Sequence, residues 1–216
     1  LKCINDKGRV LTLQNGLGNA DIISQLIPTE KDVAGTTSHG ATLLGPGRIR
    51  HAGTGPTTIG SWSKTSNANL EAVKHIFCQS GIDTRIEDDI HLTVWKKLII
   101  NIGINAITAL TGIKNGQIMD RPPTGNLVRA AVNEASNVAL AHGIHLPDDI
   151  IEQVYTAARA TGPNRSSMGQ DVDRKRPTEI DAINGAVVRL AHAKNIPVPV
   201  NETLTALIHT LEHNYA

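Results

Sequence analysis

Aromatic side chains are scarce: two Trp, two Tyr and one Phe occur in 216 residues, so a core must be built from Ile, Leu, Val and Ala. Base-stacking surfaces for nucleic acid are not expected from so few rings. An excess of charge of one sign is lacking too. Lys plus Arg is 21 against 20 for Asp plus Glu, a net charge of +1, which offers no electrostatic footprint for nucleic acid or an anionic membrane. The expected partner is therefore a small molecule. Cys3 and Cys78 lie far apart without metal-type spacing and cannot make a disulfide framework, so a reducing cytoplasm is the expected compartment. No stretch approaches the roughly 18 apolar residues of a membrane span, and no basic segment leads into an apolar run at the start. A GxSxG elbow, a Walker loop and a HExxH pattern are all missing, which argues against those hydrolase, nucleotide-cradle and zinc chemistries. Nine histidines are present, but the pairs His142/His145 and His209/His213 lack further ligands and read as surface residues. The chain opens on Leu1 inside a loop-then-strand pattern, as expected of a fragment or a processed product.

What is present falls into two compositional halves. Up to about Ile86, short β-branched runs alternate with glycine; from about Asp89, long helix-period segments dominate. The expected domains are 1–88 and 89–216, α/β followed by all-α. In the first, Arg9 to Gln14 reads as a strand ending at Asn15-Gly16, and Asp21 to Ile27 as a helix. Val33 to Ser38 reads as a strand, Ala41 to Leu44 and Arg48 to His51 as a hairpin about Gly45-Pro46-Gly47, and Pro56 to Ile59 as a strand continuing the hairpin's sheet. A helix over Ala68 to Gln79 and a strand over Thr84 to Ile86 follow. In the second half, helices are expected over Ile90 to Leu110, Asn126 to His142, Asp148 to Ala160, Ser166 to Arg174, Thr178 to Ala193 and Glu202 to His213. Gly112 and Gly143 mark helix ends, Pro147 and Pro177 lie near starts, and Thr178 with Asp181 resembles a capping box.

The segment Ile90 to Leu110 carries the most information. Its isoleucines and leucines cover most of the circumference, which marks a buried helix, yet Lys97, Asn101 and Asn105 recur at i, i+4 and i+8. That spacing places all three within about 80 degrees of arc on one face. Burying an ammonium and two amides is costly unless each finds a partner. The stripe therefore borders an internal polar network, a subunit contact or a ligand cleft. In a cleft, a lysine can donate a proton to a carbonyl oxygen, and partial desolvation lowers its pKa toward the working range. Lys96 points about 100 degrees away and reads as a surface lysine.

Asn164-Arg165-Ser166-Ser167-Met168 precedes a helical pattern. Free N–H groups at a helix start suit a carboxylate, and capping by Asn164 is the simpler account. Glu179 falls in the first turn of the expected 178–193 helix, where the dipole favours an acid without any function. Asn184 and Gly185 read as packing residues, with Ile180, Ile183, Val187 and Leu190 as that helix's buried face.

Five segments in order, Gln14-Asn15-Gly16-Leu17-Gly18, Gly35-Thr36-Thr37-Ser38-His39-Gly40-Ala41, Trp95-Lys96-Lys97 with Asn101 and Asn105, Asn164 to Met168, and Thr178-Glu179-Ile180-Asp181, resemble the ketopantoate reductase family. The similarity runs over nearly the whole chain. It implies the C-terminal remnant of a Rossmann-like sheet domain followed by a helical, 6-phosphogluconate-dehydrogenase-like domain that binds substrate. It implies Lys97 as proton donor, and Asn15, Asn101, Asn105, Asn115, Asn164 and Ser167 as substrate contacts. Asn15, Ala41 and Glu179 are similar to positions that touch the nicotinamide nucleotide, NADPH. The implied reaction is reduction of 2-dehydropantoate to pantoate in pantothenate biosynthesis, with a homodimer as the implied assembly.

The departure lies at the front. The family opens with a strand, a GxGxxG turn and the segment that reads the 2'-phosphate. Gly16-Leu17-Gly18 and Gly53-Thr54-Gly55 lack the third glycine and are expected to lack the strand-to-helix setting as well. About two βαβ units of roughly 30 residues each are expected ahead of Leu1, and a sheet short of its first strands is expected to associate with another copy or leave its N-terminal strands disordered. Two alternatives stay open: a related 2-keto acid reductase, and a non-catalytic helical binding or dimerisation module.

Overall fold

The computed structural model describes residues 4–5, 8–63 and 69–215. The chain divides into two compact units, one of Leu1–Gln14 and Gly18–Val94, the other of Asn15–Leu17 and Trp95–Ala216.

The first unit is mixed α/β. In chain order it contains β1 (Val10–Thr12), α1 (Asn19–Ser24), β2 (Asp32–Thr37), β3 (Gly40–Gly45), β4 (Arg48–Gly53), β5 (Thr57–Ser61), α2 (Leu70–Gln79) and β6 (Thr84–Ile86). Its main sheet has the order β1-β2-β5-β6, with β1 and β2 parallel, β2 and β5 antiparallel, and β5 and β6 parallel. Val33 and Ile59 are the buried centre, packed by Leu11, Leu13, Leu70, Val73 and Ile86. The hairpin forms as the glycine turn predicts, but β5 does not continue its sheet; β3 and β4 pair only with each other. The reason is burial. Ile59 needs the apolar face that Val33 offers, and Thr37 and Thr57 share a hydrogen bond of 2.8 Å across the β2–β5 pair, whereas every residue of β4 is exposed. The helix expected from Ala68 is observed from Leu70, capped by the Asn69 side chain, which accepts the Ala72 N–H; Ala68 lies outside the described residues. Gly16-Leu17-Gly18 does connect a strand, β1, to a helix, α1, contrary to expectation. The position of a third glycine is nonetheless taken by Asp21, whose carboxylate accepts the Trp62 indole N–H at 2.9 Å.

The second unit is helical: α3 (Ile90–Thr111), which begins in the first unit, then α4 (Pro122–Ala141), α5 (Ile150–Ala160), α6 (Ser167–Asp173), α7 (Asn184–His192) and α8 (Pro199–His213), with a 3-10 turn at Asn115–Ile118. β-Branched residues are mediocre helix formers, so an isoleucine-rich helix such as α3 is held by burial. Leu98, Ile99, Ile102 and Ile107 are fully buried, each contributing about 1.5–3 kcal/mol. At Gly103 a Cβ would stand 2.6 Å from Val154 and 3.3 Å from Val128 and Val132, so this glycine lets α4 and α5 approach α3. Gly112, at φ 72, ends the helix.

A buried polar network joins α4, α7 and α8. The Glu134 carboxylate accepts the backbone N–H groups of Val200 (2.9 Å) and Asn201 (3.0 Å) at the start of α8, and the Asn201 amide at 2.8 Å. Asn184 donates to the Asn201 side chain at 3.0 Å, a role within the packing. The helix expected over Thr178 to Ala193 starts only at Asn184, and residues 178–183 form turns. Here the Thr178 hydroxyl accepts the Ile180 N–H, competing with the helix for its own backbone, and Ile180 and Ile183 are both buried. The capping box does not form, and Leu190 is only half-buried. Among the described residues no helix is long and apolar enough to cross a membrane, and no three His, Cys, Asp or Glu side chains gather as a metal site.

Candidate active site in the helical unit

Lys97, Asn101 and Asn105 follow one face of α3, as the spacing predicts. The Lys97 side chain is half-buried, and that burial lowers its pKa from the ordinary lysine value, while the Glu179 carboxylate pulls it partly back. Lys96 is half-buried rather than fully at the surface. Asn101 and Asn105 each hold a side-chain Nδ2 that is buried without a hydrogen-bond partner. Asn115, on the 3-10 turn, donates to the Thr161 hydroxyl at 2.9 Å, and its Oδ1 is likewise buried and unpartnered.

Glu179 is not a helix-start acid, because no helix begins there. It is exposed on the 178–183 turn, where its Oε2 accepts the Asn15 amide at 2.8 Å. The Leu17 N–H donates to the Ala182 carbonyl at 2.8 Å, so the Asn15-Gly16-Leu17 segment lies against the turn that carries Glu179. Gly16 makes this possible. Its φ is 84, and a Cβ there would fall 2.2 Å from the Ala182 carbonyl oxygen. Nearby in charge, burial and the Glu179 carboxylate raise the pKa of Asp171, against Arg174 and Arg176, which lower it.

The 164–168 segment is organised differently from expectation. Ser166, not Asn164, caps α6, its Oγ accepting the Gly169 N–H at 3.0 Å and a hydrogen bond from the Thr108 hydroxyl at 2.7 Å. Asn164 is exposed, and its backbone carbonyl accepts the Asn115 N–H at 3.0 Å. Ser167 is exposed as the first residue of α6. Arg165 locks the segment, donating to the Thr108 and Ile113 carbonyls at 2.7 and 3.0 Å and to both Asp173 oxygens; its guanidinium holds the Asp173 carboxyl below the ordinary aspartate value. Thr108, Arg165 and Ser166 escaped the spacing argument. Thr108 was within reach of it, because it lies three residues beyond Asn105 on the same helical stripe.

Two groupings result within this unit: Lys97, Glu179 and Asn15 about one end of the stripe, and Asn115, Asn164, Thr108 and Ser166 about the other. Ala41 belongs to the first unit, exposed on β3 opposite His51. A half-buried ammonium in line with two unpartnered amide donors can, chemically, hold a polar, oxygen-rich small molecule and give a proton to its carbonyl oxygen, a capability used by oxidoreductases and lyases.

The comparisons narrow that class. Residues 89–212 match the family model described as ketopantoate reductase PanE/ApbA C terminal, and residues 1–64 match that described as ketopantoate reductase PanE/ApbA. The 2-dehydropantoate 2-reductase of Halobacterium salinarum is 38% identical over 97% of this chain and 69% of its own length. Among solved structures, the PanE/ApbA family ketopantoate reductase from Ralstonia eutropha JMP134 superposes with a TM-score of 0.85 at 34% identity, over 95% of this chain and 67% of that one. D-mandelate dehydrogenase in complex with NADH superposes with a TM-score of 0.91 at 27% identity, over 100% and 73%. The chain belongs to the ketopantoate reductase family, whose members are oxidoreductases.

Proposed function

We propose that this chain carries the substrate-binding and proton-donating part of an NADPH-dependent 2-dehydropantoate 2-reductase, which makes pantoate for pantothenate and coenzyme A. The observation that carries this reading is the α3 face: the pKa-lowered Lys97 in line with the orphaned amides of Asn101 and Asn105. Lys97 donates its proton to the keto oxygen as that oxygen gains charge. Burial makes the ammonium a stronger acid, which suits it to the task. Asn101 and Asn105 donate to substrate oxygens, and in doing so satisfy amides that are otherwise costly to bury. Asn115 accepts a substrate hydroxyl, while Asn164 and Ser167 complete the carboxylate end.

The donor set also fits a nicotinamide nucleotide, since Asn15 and Glu179 together offer an amide and a carboxylate suited to a carboxamide and ribose hydroxyls. When bound, NADPH supplies the hydride. In this reading residues 1–88 are the remainder of a Rossmann-like nucleotide-binding domain and 89–216 the helical substrate domain. A homodimer and a cytoplasmic location belong to the same proposal, supported by the exposed Leu43, Leu44 and Ile49 of the hairpin and by the free, exposed Cys78 thiol.

The test is loss of 340 nm absorbance with NADPH and ketopantoate, alongside ketopantoate binding by calorimetry. Lys97→Ala should abolish turnover and leave cooperative melting intact; a variant that turns over normally sinks the assignment. A second reading, a reductase of another 2-keto acid, is favoured by the likeness to D-mandelate dehydrogenase. Apolar pockets separate single methylenes by only about 1 to 3 kcal/mol, so profiling phenylglyoxylate against ketopantoate decides between them.

A further inference from the structure

One cluster of titratable groups lies outside the proposed chemistry. His209, on α8, has a carboxylate at each ring nitrogen: Nε2 donates to Asp181 Oδ1 at 3.0 Å, and Nδ1 stands 3.4 Å from Glu212 Oε2. The other oxygen of Glu212 accepts the Thr178 backbone N–H at 2.6 Å. Thr178 and Asp181 bracket Glu179. The His209 backbone carbonyl in turn accepts a hydrogen bond from His213 Nδ1 at 2.7 Å.

We propose that His209 is a positioning residue for the site: by bridging Asp181 and Glu212 it pins the 178–182 turn to α8 and so sets where Glu179 meets Asn15. This rests on the reading of Asn15 and Glu179 as parts of the reductase site. A carboxylate only accepts, so Nε2 is the donor to Asp181, while Nδ1 on the other side of the ring faces Glu212 at contact distance. The turn it holds has no helix of its own to keep it in place. The same turn receives the Leu17 N–H through the Ala182 carbonyl and the Asn15 amide through Glu179. A shift at Asp181 is therefore passed to Asn15 and Glu179 over two or three residues of chain. The His209 side chain is partly exposed and that of Asp181 largely so, and ion pairs of that kind add little to global stability, so the bridge is placed to govern local geometry.

The test compares His209→Gln, a neutral side chain with no charge to offer either carboxylate, with His209→Lys, whose ammonium can pair with both. Amide hydrogen exchange at Leu17 and Thr178, and ketopantoate affinity by calorimetry, are measured on the full chain. In His209→Gln both amides should exchange roughly three- to tenfold faster, and affinity should fall by a similar factor, the loss of about one hydrogen bond. The melting transition should stay close to that of the unsubstituted chain, and His209→Lys should restore both readouts. Unchanged exchange at Leu17 in His209→Gln overturns the proposal, as does a lysine variant that behaves like the glutamine one. If the unsubstituted chain binds no ketopantoate, the reductase reading and the positioning role fall together, while the exchange pattern still reports separately whether the bridge holds the turn.

Discussion

Asn105 offers a test in which function and stability should move in opposite directions. Its side chain is 4% exposed, and its Nδ2 is buried with no partner. An unsatisfied buried donor costs about 1–3 kcal/mol, a cost that a purely structural residue would have no reason to carry. Leucine is close to asparagine in size and shape and has no polar atom to strand. Asn105→Leu should therefore stabilise the ligand-free chain by about 1–3 kcal/mol. For a chain of this length that corresponds to a rise in Tm of roughly 2 to 12 °C. The same change removes a donor that the proposed substrate needs, so ketopantoate affinity should fall by about tenfold or more. Thermal melting followed by circular dichroism, with and without ketopantoate, reads both effects. The ligand-induced rise in Tm should shrink in the variant even as its baseline Tm climbs. A variant that melts lower than the parent and binds ketopantoate as well would refute the argument, because the amide would then be a structural partner with no ligand.

Other outcomes follow from the same geometry. Gly16→Ala should destabilise the chain by about 1–3 kcal/mol through the left-handed backbone alone and displace Asn15, since its Cβ would lie 2.2 Å from the Ala182 oxygen; urea melts and ketopantoate calorimetry together check it, and parental values in both would contradict it. Turnover should fall with rising pH through the Lys97 pKa, which burial places below the ordinary lysine value, because the donor must be charged. Glu179→Gln removes the carboxylate that raises that pKa, so the alkaline limb of the rate profile should move to lower pH; an upward or absent shift would deny the coupling. Glu134→Gln should cost about 1.5–3 kcal/mol of unfolding free energy, because its carboxylate accepts three N–H groups around the start of α8, and chemical denaturation measures the loss.

How much of this was legible in the sequence depends on the range of the interaction concerned. The α3 helix was legible because its pattern is local and long, and the recurrence of Lys97, Asn101 and Asn105 every four residues fixes a common face before any tertiary contact is known. The hairpin was legible because a glycine turn between two short runs is also local. The partner of β5 was not, since the choice between β4 and β2 is made by which face buries Ile59. The cap of α6 was not, because Asn164 and Ser166 are both good capping types, and the decision was made by Thr108, 58 residues away in sequence.

Glu179 shows the limit most clearly. Propensity and dipole arguments placed it at a helix start, where its charge would need no further reason. The chain instead makes turns there, because the Thr178 N–H is taken by Glu212, 34 residues on, and Asp181 by His209. The acid then faces Asn15, 164 residues away. No spacing rule spans that distance, and only the family resemblance pointed to the pair. A turn that replaces a helix which propensity favours, and that is held by side chains from two distant segments, departs from local preference in a place where proteins build sites. Its strongest supports, Gly16 and the His209 bridge, are accordingly where substitution should disturb the site while leaving the helical core in place.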